Sequence, residues 1–397
     1  LYQPQILDST RYYRAVVISD FGCGTVQTSS LMINVYEEFT TGSIDVTDTI
    51  CYNTDANIIN TLAPPSGGHT PYSYQWSYSN DTLNWTDIPS SNNPFYNPSL
   101  LTDTTYYRVK YISNSGCGQL LSNTSQVIVL PIVVAGSIVN DQFLCYDSLA
   151  ASVYMDTLSY GGNNNFAYQW EFSLSGNSWN EVIGADTTTY NPGFMSQSTY
   201  YRLKVASTYQ NNCLDRFSNT IYINVYDSLA SGDISSSQNI CYNTQPDSLS
   251  FMVLPAGADG NYTYIWQESI DNNTWLDIPN TDSVLYQPQI LDSTRYYRAV
   301  VISDFGCGTV QTSSLMINVN PEFNSGVINQ NDTICYLEDP NLLDFTILPN
   351  GGNYNNSNQY SFQWQSNNNG LWNDILNANN NFFQPFGLSD TTFYRVQ

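Results

Sequence analysis

The sequence predicts an all-β chain of tandem sandwich domains, each about 95 residues long. The first observation behind this is repetition: residues 1–35, LYQPQILDSTRYYRAVVISDFGCGTVQTSSLMINV, recur letter for letter at 285–319. A Tyr-Tyr-Arg triplet marks the same template at Tyr12, Tyr106, Tyr200 and Tyr296, with Phe393-Tyr394-Arg395 as a variant, at spacings of 94, 94, 96 and 97 residues. Solenoid units run about 20 to 50 residues, so a period this long is a complete small domain. The second observation is strict alternation of aromatic and polar residues, and the third is a pair of cysteines in every repeat.

The alternation places the strands. Tyr72, Tyr74, Trp76 and Tyr78 are separated by single polar residues, a period of two that marks a half-buried strand with its aromatic face toward a core. The pattern returns at Phe166-Tyr168-Trp170-Phe172, Tyr262-Tyr264-Trp266 and Tyr360-Phe362-Trp364. A second strand turns Tyr107, Val109 and Tyr111 inward and Tyr106, Arg108 and Lys110 outward. Shorter strands fit Ile58 to Leu62 and Gln126 to Leu130, between clusters rich in Gly, Asn, Pro and Ser. No segment sustains a helical period. About seven short strands in 95 residues, a core Trp in the third and two cysteines describe an immunoglobulin-like β-sandwich. The cysteines do not flank that Trp as in antibody domains.

On this template the chain divides into 1–36, the C-terminal part of a repeat; complete repeats at 37–131, 132–226 and 227–320; and 321–397, a repeat cut before its last strand. Both ends fall inside a repeat, so the expectation is a window from a longer array. The junctions Val35–Gly42, Val129–Gly136, Val225–Gly232 and Val319–Gly326 match one another and are not Gly/Ser-rich, which predicts held orientations and an elongated rod.

Composition narrows the function. Asp and Glu number 34 against 10 Lys and Arg, a net charge of -24 that repels nucleic acid and anionic lipid. No apolar run approaches the roughly 20 residues of a membrane helix, so no membrane insertion is expected in this segment. Abundant Tyr, Asn and Thr with two lysines suit a secreted, polar β-surface. The eight cysteines are spaced 28, 66, 28, 68, 28, 66 and 28 residues apart without a CxxC, which predicts disulfides. Pairing within a repeat (Cys51 with Cys117, Cys145 with Cys213, Cys241 with Cys307) is preferred over pairing across each junction.

Few residues offer chemistry. The single histidine, His69, lies in a Gly/Pro-rich turn without counterparts, and no acid pair recurs beside the aromatics, so no enzyme is expected. The triplet arginines (Arg14, Arg108, Arg202, Arg298, Arg395) are assigned to stacking on a neighbouring aromatic or pairing with a carboxylate. The second Trp of each repeat (Trp85, Trp179, Trp275, Trp372) reads as a core residue of a hairpin, with a sugar-stacking platform as the alternative. Junction acids Asp45, Asp48, Asp141, Asp233 and Asp332 raise calcium, but their positions do not superpose, and no cofactor is expected.

The string Gly-x-Ile, Ile-Cys-Tyr, Tyr-x-Trp, Trp-x-x-Ile, Tyr-x-Pro, Leu-x-x-Thr-x-Tyr-Tyr-Arg and Gly-Cys-Gly resembles the immunoglobulin-like repeats of giant surface adhesins of gliding bacteria. These are the SprB-type proteins exported by the type IX secretion system. The resemblance covers the whole chain and implies a secreted cell-surface filament for attachment, gliding or prey capture; a multivalent carbohydrate-binding array is the alternative. It also implies O-glycosylation at Asp-Ser/Thr sites around Ser9, Thr49, Thr82, Thr104, Ser148, Thr157, Thr187, Ser228, Ser248, Ser283, Ser293, Thr333 and Thr391. Regular spacing and few edge lysines favour lateral association into a homo-oligomeric fibre, with glycans or prey surfaces as further partners.

Overall fold

A computed structural model describes residues 1–209, 213–353 and 360–397. Among the described residues every element is a strand apart from one 3-10 turn, Asn114–Gly116. The chain packs as two compact units: Leu1–Gln142 with Leu149–Gly193 and Ser198–Asn224, and Phe143–Ser148 with Phe194–Gln197 and Val225–Gln397.

The first complete repeat shows how the sandwich is built. Its strands are β1 (Ser43–Ile44), β2 (Thr47–Cys51), β3 (Ile59–Ala63), β4 (Ser73–Ser79), β5 (Thr86–Asp87), β6 (Phe95–Tyr96), β7 (Thr105–Ile112), β8 (Gln119–Leu121) and β9 (Ser125–Leu130). One sheet has the order β6-β3-β1; the other runs β2-β9-β7-β4-β5, with β8 added to β7. Trp76 is therefore on the fourth strand, because the two-residue strand β1 is too short to show as alternation. All pairs are antiparallel except β2 with β9, which run parallel and place Cys51 beside Leu130.

The predicted faces are found. Along β7 the burial alternates without a break, with Tyr107, Val109 and Tyr111 in the core and Arg108 and Lys110 outside. On β4, Tyr74 and Trp76 face inward, while Tyr78 at the strand's end is exposed. Trp76, Trp170, Trp266 and Trp364 are fully buried, and each indole N–H donates to a backbone carbonyl, of Asn93, Thr187, Ser283 and Asn380, at 2.9 to 3.0 Å. A tyrosine or phenylalanine stacks between each of these tryptophans and the triplet's inward ring, as Tyr96 does between Trp76 (5.8 Å) and Tyr107 (5.4 Å). In the third repeat Tyr262–Ser269 pairs with Arg295–Ser303, and Leu249, Trp266, Tyr297, Leu315 and Ile317 form the equivalent core.

These cores have a pH signature. Burial, reinforced by Tyr190, pushes the Tyr201 phenol up to about 12 from its usual 10.0. Tyr107 and Tyr297 move further in the same direction. The folded state thus holds the proton more tightly than the unfolded chain, so the stability is intact below pH 10 and is lost as pH rises toward 12. For Tyr201 that amounts to about 3 kcal/mol. Tyrosinate absorbance should rise in two stages, the later one coinciding with loss of the β-sheet circular dichroism signal; a single stage with no loss of sheet signal would refute this.

The duplicated segment pairs identically in both copies: Arg11 with Ile33 and Val16 with Gln27 at 1–35, and Arg295 with Ile317 and Val300 with Gln311 at 285–319.

Junction residues pair with the repeat that follows them. The Gly68 and Gly162 N–H groups donate to the Glu37 and Pro131 carbonyls at 2.8 Å, and Gly352 does the same to Pro321. Gly67, Gly161, Gly257 and Gly351 have positive φ, and a Cβ there would overlap the carbonyl oxygen of Glu38, Ile132, Ser228 or Glu322.

Candidate functional site

Two features recur from repeat to repeat: a cysteine at each end of the sandwich, and an arginine stack on its outer face. The cysteines are the more consequential. Cys51 closes β2 beside Leu130, at the end where the chain leaves the repeat. Cys117 follows the turn after β7, whose far end lies beyond the start of β9, at the end where the chain enters. About ten residues of register separate those ends, roughly 30 Å at about 3.3 Å per residue. A disulfide tolerates about 7 Å between Cα atoms. The two cysteines of one repeat are thus out of reach of each other.

The structure bonds Cys51 to Cys213 and Cys145 to Cys307, each pair with Cα atoms 5.2 Å apart and 162 residues apart in sequence. The exit cysteine of one repeat therefore takes the entry cysteine of the next. This corrects the expected pairing of Cys51 with Cys117, Cys145 with Cys213 and Cys241 with Cys307: alternate spacing shows which cysteines are equivalent, but not which end each occupies. Cys23, Cys117, Cys241 and Cys335 are unpaired and exposed. Cys117 stands at the Cys213 position of its repeat and Cys241 at the Cys51 position, and neither has a counterpart 162 residues away within residues 1–397.

Polar and aromatic contacts accompany the bridges. Next to Cys51–Cys213 the Tyr209 hydroxyl donates to the Thr49 carbonyl at 3.0 Å. A cleft of about 340 Å³ lies there, lined by Tyr52, Pro131, Ile132, Leu214 and Arg216. Near Cys145–Cys307, Tyr226 meets Phe305 edge-on at 5.1 Å and Phe143 face-on at 6.3 Å.

The junction acids have a structural use that the sequence hid. Asp48 accepts the Asn57 N–H at 2.9 Å and Asp332 the Asn341 N–H at 2.9 Å. Gln142 and Gln238 occupy the same position and accept the Ala151 and Asp247 N–H groups, each at 2.8 Å. A backbone amide nine residues on is what the position serves, and either a carboxylate or an amide oxygen meets it. Asp45 likewise accepts the Asn60 N–H, and Asp141 the Tyr222 N–H. Among the described residues no three His, Cys, Asp or Glu side chains gather as metal ligands. His69 remains a loop residue, its Nδ1 3.2 Å from the Ser115 hydroxyl.

On the outer face the second tryptophan is not a core residue, contrary to the sequence reading. Trp85, Trp179, Trp275 and Trp372 are half-buried beneath the triplet arginines, whose guanidinium carbons lie 4.0 to 4.3 Å from the ring centres. In the second repeat Phe217 closes the other side of Arg202 at 3.9 Å. In three repeats the residue after the core Trp completes the stack. Glu171 accepts the Arg202 Nε–H at 2.7 Å, and Gln267 and Gln365 accept those of Arg298 and Arg395 at 2.6 Å.

In the first repeat this residue is Ser77, which instead donates to Asp87, and the buried Arg108 Nε has no partner among the described residues. Gln267 bonds Arg298 while its amide donates to Asp277, so a glutamine serves both neighbours. Ser77→Gln should therefore stabilise the first repeat by about 1 kcal/mol. Ser77→Glu should gain less, because its carboxylate would face Asp87. Thermal unfolding of the two variants checks the order, and a destabilised glutamine variant would refute it.

Of the Asp-Ser/Thr positions, Ser9, Thr82, Thr157, Thr187, Ser228, Ser248, Ser283, Ser293, Thr333 and Thr391 are exposed, and Thr49, Thr104 and Ser148 are half-buried. The Thr104 hydroxyl also accepts the Val129 N–H at 3.1 Å, so that site is structurally engaged.

The repeats match one family model, a domain of unknown function designated DUF8696, at residues 40–131, 134–227, 230–321 and 324–397. The chain belongs to the DUF8696 family. No curated protein matches it. Solved structures similar to this array of DUF8696 repeats include three N-terminal domains of the highly immunogenic outer capsid protein of bacteriophage RB49. That match has 13% identity, covers 70% of this chain and 98% of the other, and has a TM-score of 0.30. Immunoglobulin domains 1–5 of Sidekick-1 match at 13% identity over 93% and 76% of the two chains, with a TM-score of 0.30. Extracellular domains 3–5 of Drosophila OTK match at 13% identity over 71% and 96%, with a TM-score of 0.27. Strand pairing makes each repeat a two-sheet sandwich, and the DUF8696 matches mark four such repeats in tandem.

Proposed function

We propose that the chain is a structural and adhesive segment of a long secreted filament on a cell surface, serving attachment, gliding or prey capture. The observation that carries this reading is the bonding of consecutive repeats by Cys51–Cys213 and Cys145–Cys307. Such bonds persist in oxidising, extracellular surroundings, and they strengthen connection between domains rather than a pocket within one. Exposed Asp-Ser/Thr sites fit glycosylation of such a filament. Antibodies against the chain should label intact cells of the producing organism and block their attachment. Labelling confined to permeabilised cells would overturn the reading.

A carbohydrate-binding array is the second reading, favoured by the outward Trp85, Trp179, Trp275 and Trp372. Their stacked arginines occupy a ring face that a sugar would need, which weakens it. A glycan array probed with the intact chain decides between them. Lateral association into a fibre belongs to the first reading; with a charge of -24 it should strengthen as salt screens repulsion, and sedimentation that stays monomeric at all salt concentrations would exclude it.

A further inference from the structure

We infer that the two disulfides make the chain a covalently redundant tether, one that a single backbone cut between Cys51 and Cys307 does not sever. The bonds overlap in sequence: Cys51–Cys213 spans one stretch, Cys145–Cys307 another, and residues 145–213 lie under both. A cut before Cys145 leaves Cys51–Cys213 across it, a cut after Cys213 leaves Cys145–Cys307, and a cut between them leaves both. Pairing within repeats would leave each junction bridged by backbone alone.

Overlap matters because the exposed loops are where proteases cut. Ser236 and Ser237 are exposed in a loop between Cys213 and Cys241, crossed by Cys145–Cys307 alone. Thr82 and Leu83 are exposed in a loop crossed by Cys51–Cys213 alone. A scission at either place opens one loop and leaves the ends joined. The inference concerns covalent connection only and stands whether or not the segment is adhesive.

The test uses the full chain with a recognition sequence for a specific protease inserted between Ser236 and Ser237. After complete cleavage it should run as one species without reductant and as two fragments with it. Adding Cys145→Ser should release the fragments without reductant, whereas adding Cys51→Ser should not. Moving the insertion between Thr82 and Leu83 should reverse the roles of the two substitutions. Separation of the cleaved parent chain without reductant would overturn the inference, as would fragments that stay joined in the Cys145→Ser background of the first insertion. The reciprocal insertion keeps the result readable if either serine variant misfolds.

Discussion

Replacing Trp266 with alanine should destabilise the third repeat strongly enough to open it to proteases ahead of the others. The indole is fully buried, its N–H is bonded to the Ser283 carbonyl at 3.0 Å, and it packs against Tyr286 and Phe251 at 5.9 and 6.0 Å. Truncating a buried Trp costs about 3–5 kcal/mol, before counting the carbonyl left without its donor. A single domain has roughly 5–15 kcal/mol in all. Limited proteolysis of the variant should therefore give new cuts concentrated in 227–320, with the first repeat still resistant. Cuts no different from the parent would show that the packing around Trp266 contributes far less than its burial implies.

Removing both bridges, as Cys51→Ser with Cys145→Ser, should have a comparable or larger effect spread over more of the chain. Each bond closes a loop of 162 residues, for which the chain-entropy model gives about 5 kcal/mol. The loops overlap, so the second bond restricts a chain already restricted by the first, and the sum falls short of twice that value. Urea unfolding should shift to lower concentration and steepen, because the unbridged denatured chain exposes more surface. Coincident curves for the bridged and unbridged chains would contradict this.

Much of the fold was legible in the sequence. Aromatic alternation at Tyr74-Trp76 and Tyr107-Val109-Tyr111 identified core strands because a strand's side chains alternate faces whatever the neighbouring strand does. The arginine stacking followed from the outward parity of Arg108. What could not be read depends on tertiary placement. A two-residue strand such as Thr86–Asp87 has too little pattern to say whether Trp85 beside it points in or out. Asp48 and Gln142 looked unrelated because their shared role, accepting an amide nine residues on, involves an oxygen rather than a charge. Cysteine pairing turned on the parallel alignment of β2 with β9, which sets Cys51 at the exit; nothing in local periodicity reports that partner.

The 28-residue spacing acquires a mechanical meaning from that alignment. Cys117–Cys145 and Cys213–Cys241 each start at the entry turn of one repeat, follow its last strand, and finish at the exit of the next, and Cys307–Cys335 has the same spacing. The disulfides join these short runs into two lines, one through Cys51, Cys213 and Cys241, the other through Cys117, Cys145, Cys307 and Cys335. The longer runs of 66 or 68 residues carry the tryptophan cores. Each bridge takes two such runs out of the shortest covalent path between its cysteines, so tension across Cys51 and Cys213, or across Cys145 and Cys307, falls on the sulfur–sulfur bond and spares the strands between them.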